Sequence, residues 1–249
     1  MTTSPVEARG GLGTVRNAVL LLELLADGPV FQQLTELADR SGLSLPTTHR
    51  LLRSLVIADL VTQDPRSSRY GLGPELVRLS HRYLTRLPIL GALSPYLIQI
   101  RDTLHVTIEV HLLVRDAVVS VDQVDGSDSG AYRQSHAVHP AMDTASGRLL
   151  AARADDETWR RALAGHCGRD TEDAERARRA WASADRLVLP GDEPGSPTHL
   201  AVPVAIDSAG IFAALVAMLP HDADATRIEE AAGQLARAAR AAERAVGHG

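Results

Sequence analysis

Residues 34–73, LTELADRSGLSLPTTHRLLRSLVIADLVTQDPRSSRYGLG, constrain the chain most: two short helical patterns meet across Gly42 and are followed by two strand-length runs. A helix advances about 100° per residue, so positions three and four apart share a side. In the second pattern Thr48, Leu51, Leu52, Leu55 and Val56 fall on one flank, and Pro46, His49, Arg50, Arg53 and Ser54 fall opposite. No carboxylate occurs from Gly42 to Ala58. A helix that is merely solvated usually mixes both charge signs on its outer face, whereas this face is suited to phosphates and base edges.

Two arginines alone would suit an ordinary amphipathic helix, and the neighbouring residues decide between the readings. Val15, Ala18, Val19, Leu22 and Leu25 predict a supporting helix, ended by Asp27, Gly28 and Pro29. Leu34, Leu37 and Ala38 give the first helix of the pair, stopped by Gly42, which tolerates the left-handed backbone of a tight inter-helix turn. Ser44 stands at the N-cap of the second helix and Pro46 in its first turn, where a missing N–H does no harm. Leu60 to Thr62 and Arg69 to Leu72 read as strands around Asp64, Pro65, Arg66, Ser67 and Ser68, with Arg66 and Arg69 making the hairpin basic. The order is that of a winged helix-turn-helix. Its candidate DNA-contacting residues are Ser44, Thr47, Thr48, His49, Arg50, Arg53, Arg66 and Arg69.

The net charge of -5 is the wrong sign for a reader of a polyanion, but distribution matters more than the total. Between Gly42 and Leu72, Arg50, Arg53, Arg66 and Arg69 stand against only Asp59 and Asp64, while acids such as Asp155, Asp156 and Glu157 cluster later. A chain of 249 residues, 45% hydrophobic, predicts one or two folded domains. No run reaches the roughly 20 apolar residues of a membrane span, and the N-terminus lacks a signal-peptide core, so the expected location is cytoplasmic, with no membrane partner. The single cysteine, Cys167, excludes an internal disulfide framework and a thiol cluster for zinc.

Residues 1–12, polar and carrying Gly10 and Gly11, predict a flexible arm, and 13–73 form the winged helix-turn-helix. Residues 74–87, with Leu76, Val77, Leu79, Tyr83, Leu84 and Leu87, predict a linker helix stopping near Pro88. Residues 88–249 open with a helix from Ile89 to about Arg101. Then come β-rich runs, HVTIEVHLLV and DAVVSVDQVD turning at Arg115 and Asp116, and LAVPVAI and IFAALVAML turning at Asp207 to Gly210. Helices are expected at Ala145 to Ala152, Glu157 to Ala164, Glu172 to Ala184 and Ala225 to Val246. Helices on an antiparallel sheet make the second domain α+β.

The order of these pieces, with LLELLADG, LTELADRSGLS, THRLLRSL and YGLGPELVRLS in the first half, resembles the IclR family of bacterial transcription regulators. In the second half PAMDTASGRLLAA, at Pro140 to Ala152, is similar to the family's loop-and-helix signature, and AVPVAIDSAG, at Ala201 to Gly210, to its late sheet motif. The resemblance implies a winged helix-turn-helix, a linker helix and a C-terminal GAF-like effector-binding domain, assembled as a homodimer or a dimer of dimers. It implies a ligand-responsive regulator, more commonly a repressor, on a near-palindromic double-stranded DNA operator. Met142 stands where the family commonly has His, and His199 where it commonly has Cys, so the effector's identity does not transfer.

Thr144, Ala145, Ser146 and Gly147 fall at a loop-to-helix junction, where unpaired N–H groups and the positive end of a helix dipole favour an anion or carbonyl oxygen. From the residues alone, Thr144 or Ser146 need only cap the helix. The resemblance makes Met142, Asp143, Thr144, Ala145, Ser146, Gly147, His199 and Leu200 candidates for the small-molecule effector site. Asp143 beside the pocket would repel an acidic ligand unless it points outward, which favours a hydroxylated, neutral or amine-bearing effector.

There is no G-x-S-x-G, P-loop, G-x-G-x-x-G or H-E-x-x-H, so neither an enzyme nor a cofactor is expected. His105 with His111, His136 with His139, and His166 beside Cys167 read as surface, strand or helix-end residues rather than metal ligands. The alternative class is a GAF-like small-molecule-binding protein, signalling or enzymatic, with no sequence-specific DNA binding.

Overall fold

The computed structural model describes residues 5–126, 137–165, 171–191, 193, 195–205 and 212–246. Its backbone divides into two compact units, Met1–Tyr83 and Leu84–Gly249.

The first unit holds α1 (Pro5–Ala26), α2 (Leu34–Ser41), α3 (Leu45–Ile57), β1 (Val61–Gln63) and β2 (Tyr70–Leu72), and α4 (Glu75–Leu84) runs to its boundary. Helix α1 already starts at Pro5, within the stretch expected to be a flexible arm, because proline's fixed φ suits a first helical position. Leu21 and Leu25 of α1 pack with Leu37, Leu51, Leu52, Leu55, Val61 and Tyr70. Val15 and Val19, expected on the inner stripe, are exposed. The run VLLLELL is apolar on nearly every side, so its periodicity does not choose a face. Gly42 closes the inter-helix turn at φ 67. Buried Gln32 locks the unit together: its Nε2 donates to Leu24 O at 2.9 Å, and its Oε1 accepts from Arg40 Nη1 at 2.6 Å. β1 and β2 pair antiparallel, Val61 opposite Leu72, forming the wing.

The second unit contains α5 (Pro88–Leu104), β3 (Thr107–Val114), β4 (Ala117–Val124), β5 (Val138–Pro140), a 3-10 turn (Ala141–Asp143), α6 (Ala145–Arg153), α7 (Asp156–Gly165) and α8 (Thr171–Ser183). It continues with β6 (Leu187–Leu189), β7 (Thr198–Ala205), β8 (Phe212–Leu219) and α9 (Ala225–Val246). The strands form an antiparallel sheet in the order β5-β4-β3-β8-β7-β6. Edge strands β5 and β6, three residues each, are too short to show a period in the sequence. The turn expected at Asp207 to Gly210, like His136, His166 and Cys167, lies outside the described residues.

Strand alternation gives this sheet two unlike faces. Ile108, Val110, Leu112, Leu200, Val202, Val204, Ala213, Leu215 and Ala217 pack against Leu93, Leu97 and Ile100 of α5 and Leu235 and Ala239 of α9. The other face carries Thr107, Glu109 and His111, which stand across from Met218, Val216 and Ala214. Helix α6 covers part of it, seating Ala145 and Leu149 on Ala201 and Val216. Thr144, its N-cap, marks where that cover ends.

Candidate functional site

Helix α3 turns Thr48, Leu51, Leu52 and Leu55 inward, as its periodicity predicts, and leaves His49, Arg50, Arg53 and Ser54 exposed. Among the described residues none of Arg50, Arg53, Arg66 and Arg69 is engaged in an ion pair. Thr48 cannot serve as a contact: it is fully buried and its Oγ1 donates to Ser44 O at 3.2 Å, the placement its inner-flank position dictates. Ser44 holds the N-cap position but makes no side-chain cap, because its Oγ donates instead to Thr47 Oγ1 at 2.8 Å.

The wing deals with its own acid. Asp64 accepts from Ser67 Oγ at 2.5 Å, from Ser67 N at 2.9 Å and from Arg66 N at 3.3 Å. Those bonds, the Ser67 hydroxyl first, hold its carboxyl below the usual range. The negative charge is spent on closing the turn, and exposed Arg66 and Arg69 give the wing its sign.

In the second unit the uncovered end of the polar sheet face opens into a cavity of about 680 Å³, large enough for a metabolite. Its wall includes Thr107, Glu109, His111, Gln123, His139, Asp143, Thr144 and His199. Three of the eight expected effector residues, Asp143, Thr144 and His199, therefore reach the cavity. The structure does not bring the other five to its wall. Leu200 points into the α5–α9 core because it neighbours His199 on a strand. Met142 packs beside Trp159 and Ala162, and Ala145 under the sheet. Gly147 lies where a Cβ would come within 2.1 Å of Ala141 O, so its role is close backbone approach. Ser146 is buried behind the wall.

Thr144 Oγ1 accepts from Gly147 N at 3.0 Å, so the capping role read from the sequence is present. Ser146 Oγ lies 2.7 Å from His111 Nδ1, and His111 Nε2 donates to Glu109 Oε2 at 2.8 Å. This buried chain runs from the cavity wall to the first turn of α6. His199 is held below its ordinary pKa, chiefly by burial, against the opposing charge of Glu109. Among the described residues no group of three or more His, Cys, Asp and Glu is arranged to hold a metal ion.

Sequence reasoning missed Glu109, Gln123 and Asp125 on the wall. A signal existed for Glu109: Thr107, Glu109 and His111 alternate with Ile108, Val110 and Leu112, a polar stripe on a strand with one buried apolar face. None existed for Gln123, whose placement depends on an irregularity in the ladder. The β3–β4 register shifts between Val110 and His111, so that Gln123 opposes Glu109 while Ser120 opposes His111. The bulge puts Ser120 and Gln123 on one face, although three residues apart in a regular strand would separate them.

Comparison with known proteins matches residues 14–65 to the IclR helix-turn-helix domain. The chain is 30% identical over 140 residues to the glycerol operon regulatory protein of Streptomyces griseus, covering 56% of this chain and 55% of that one. It thus spans about half the length of the curated relatives it matches. An IclR transcriptional regulator from Alicyclobacillus acidocaldarius shares the fold at TM-score 0.71 and 25% identity, over 93% of this chain and 98% of that chain. An IclR homolog from Microbacterium hydrocarbonoxydans, solved in complex with 4-hydroxybenzoate, matches at TM-score 0.69 and 20% identity, over 95% and 100%. The winged helix-turn-helix, linker helix and GAF-like domain expected from the sequence are the fold these structures share with it. Residues 14–65 thus carry an IclR helix-turn-helix domain, and the chain along most of its length shares the fold of solved IclR transcriptional regulators.

Proposed function

We propose that this chain is a ligand-responsive repressor that binds a near-palindromic operator in double-stranded DNA as a homodimer or a dimer of dimers. The observation that carries the reading is the outer face of α3, with His49, Arg50 and Arg53 exposed and no acid on the helix. Residues 13–73 form the DNA head, with residues 44–57 in the major groove and the wing on the flanking backbone or minor groove. Thr47, His49, Arg50 and Arg53 contact the operator, and Arg66 and Arg69 the flanks.

Residues 88–249 hold the effector in the cavity at Asp143, Thr144 and His199, and residues 74–87 transmit its presence. An effector changes operator affinity only by binding the DNA-competent and incompetent arrangements unequally. Val15 and Val19 on α1, and Val77, Leu79 and Tyr83 on α4, are exposed apolar side chains that suit self-association.

A gel shift on the DNA upstream of the protein's own gene, repeated across a salt series, tests the reading. Sequence-dependent retardation that weakens steeply with salt is expected. Equal retardation of operator-region and random DNA, or none, would leave the small-molecule-binding alternative without a DNA role.

A further inference from the structure

Besides its arginines, α3 carries an exposed apolar side chain at its first residue, Leu45. Resting on the reading of α3 as the helix in the major groove, we propose that Leu45 is a specificity-determining residue that packs against the 5-methyl group of a thymine in each operator half-site.

The first support is placement. Leu45 follows the N-cap position, Ser44, and is 46% exposed, while Leu43, two residues earlier, packs on the core of Leu21, Leu37 and Leu52. Positions four apart on a helix drift by only about 40°, so Leu45, His49 and Arg53 form one row along the exposed side of α3. An exposed leucine elsewhere on the surface would need no explanation. Here it stands at the start of the helix whose N-terminal residues reach the base edges in a helix-turn-helix.

The second support is the chemistry left on that turn. Ser44 Oγ donates to Thr47 Oγ1 at 2.8 Å, and Thr48 Oγ1 donates to Ser44 O at 3.2 Å, so the hydroxyls of Ser44 and Thr48 are turned back on the helix's own start. Pro46, also exposed, has no N–H to give. What the first turn shows outward is therefore largely apolar, the Leu45 side chain and the Pro46 ring, ahead of the polar His49, Arg50 and Arg53. Phosphates and the hydrogen-bonding edges of bases gain nothing from such a surface, because it would desolvate them without returning a bond. The apolar group that the major groove does present is the thymine methyl, and apolar side chains read it by contact. The rest of the face is cationic and free of acids, which suits a polyanion and would repel the same face of a second copy of the chain.

Replacing thymine by deoxyuridine removes the methyl and leaves every hydrogen-bonding edge in place. The full chain is titrated by gel shift on the upstream fragment, with deoxyuridine placed at one thymine at a time. For the parent chain at least one thymine in each half-site should lose about three- to fivefold in affinity on substitution, the effect of one buried methyl group. Leu45→Ala should show no loss at that position. Leu45→Met, which keeps an apolar side chain, should retain it. Because no charge changes, both variants should match the parent on random DNA and in the slope of log K against log salt. Circular dichroism and melting report that both variants fold, and the scan on the parent chain needs no variant to fold.

A parent chain indifferent to deoxyuridine at every thymine, the same loss in a folded Leu45→Ala as in the parent, or an equal weakening of Leu45→Ala on operator and random DNA would each overturn the thymine contact. If the parent chain retards the upstream fragment in preference to random DNA while any of these holds, the role of Leu45 alone is wrong. If that preference is absent, the reading of α3 as the recognition helix fails, and the contact fails with it.

Discussion

His111 Nδ1 and Ser146 Oγ, 35 residues apart in the chain, lie 2.7 Å from each other in the buried interior and tie the middle of β3 to the first turn of α6. Ser146→Ala would leave a buried ring nitrogen without its partner, which costs about 1–3 kcal/mol. Urea unfolding of the full chain should show a lower midpoint with little change in slope. An unchanged midpoint would mean that water takes over the hydroxyl's place.

Gly147→Ala should be more damaging than its small size suggests. The added methyl would sit 2.1 Å from Ala141 O, and backbone cannot rotate away as a side chain can. Overpacking of this kind costs about 1–3 kcal/mol or more, and it should appear as reduced soluble yield and a lower melting temperature. Gly91→Ala, with nothing within 4 Å of the added atom, is the control and should be neutral or mildly stabilising.

On DNA, Arg50→Ala should cost about 1–3 kcal/mol in operator affinity. A loss shared by operator and random DNA marks a phosphate contact, and a loss confined to one operator position marks a base contact. Arg66→Ala and Arg69→Ala should each lower the slope of log K against log salt by about 1. If none of the three variants alters binding, α3 and the wing are not the reading surface.

His199 gives stability a pH dependence of defined sign. Burial lowers its pKa in the folded chain below the ordinary 6.5, so between these two values the unfolded chain holds a proton that the folded chain does not. Stability is therefore lost as pH falls through 6.5 toward the folded-state value, and the residue contributes nothing above that window. Urea midpoints compared from about pH 7.5 to about pH 5.5 should fall more steeply for the parent chain than for His199→Gln. Parallel curves would show that His199 ionises alike in both states.

The first unit was legible because its information is local. Helical periodicity found the buried flank of α3, and the Gly42 turn was evident from residue type alone. It failed where that information was ambiguous: the leucine-rich α1 run fits several faces, so Val15 and Val19 were assigned inward and stand outward. For Thr48, the same periodicity that marks it as a contact candidate's neighbour also buries it, and burial wins because its hydroxyl finds Ser44 O.

The second unit shows the division most clearly. The sequence by itself determined the helices and long strands, α9 among them at Ala225–Val246, because each follows from the repeat of its own side chains. Only tertiary structure decided which residues share the cavity. Glu109 and Gln123 meet through strand pairing and one bulge, and His199 is separated from Leu200 by the pleat. These are relations between segments, set by hydrogen-bond register rather than by any residue's own preference, and a local pattern carries no record of them.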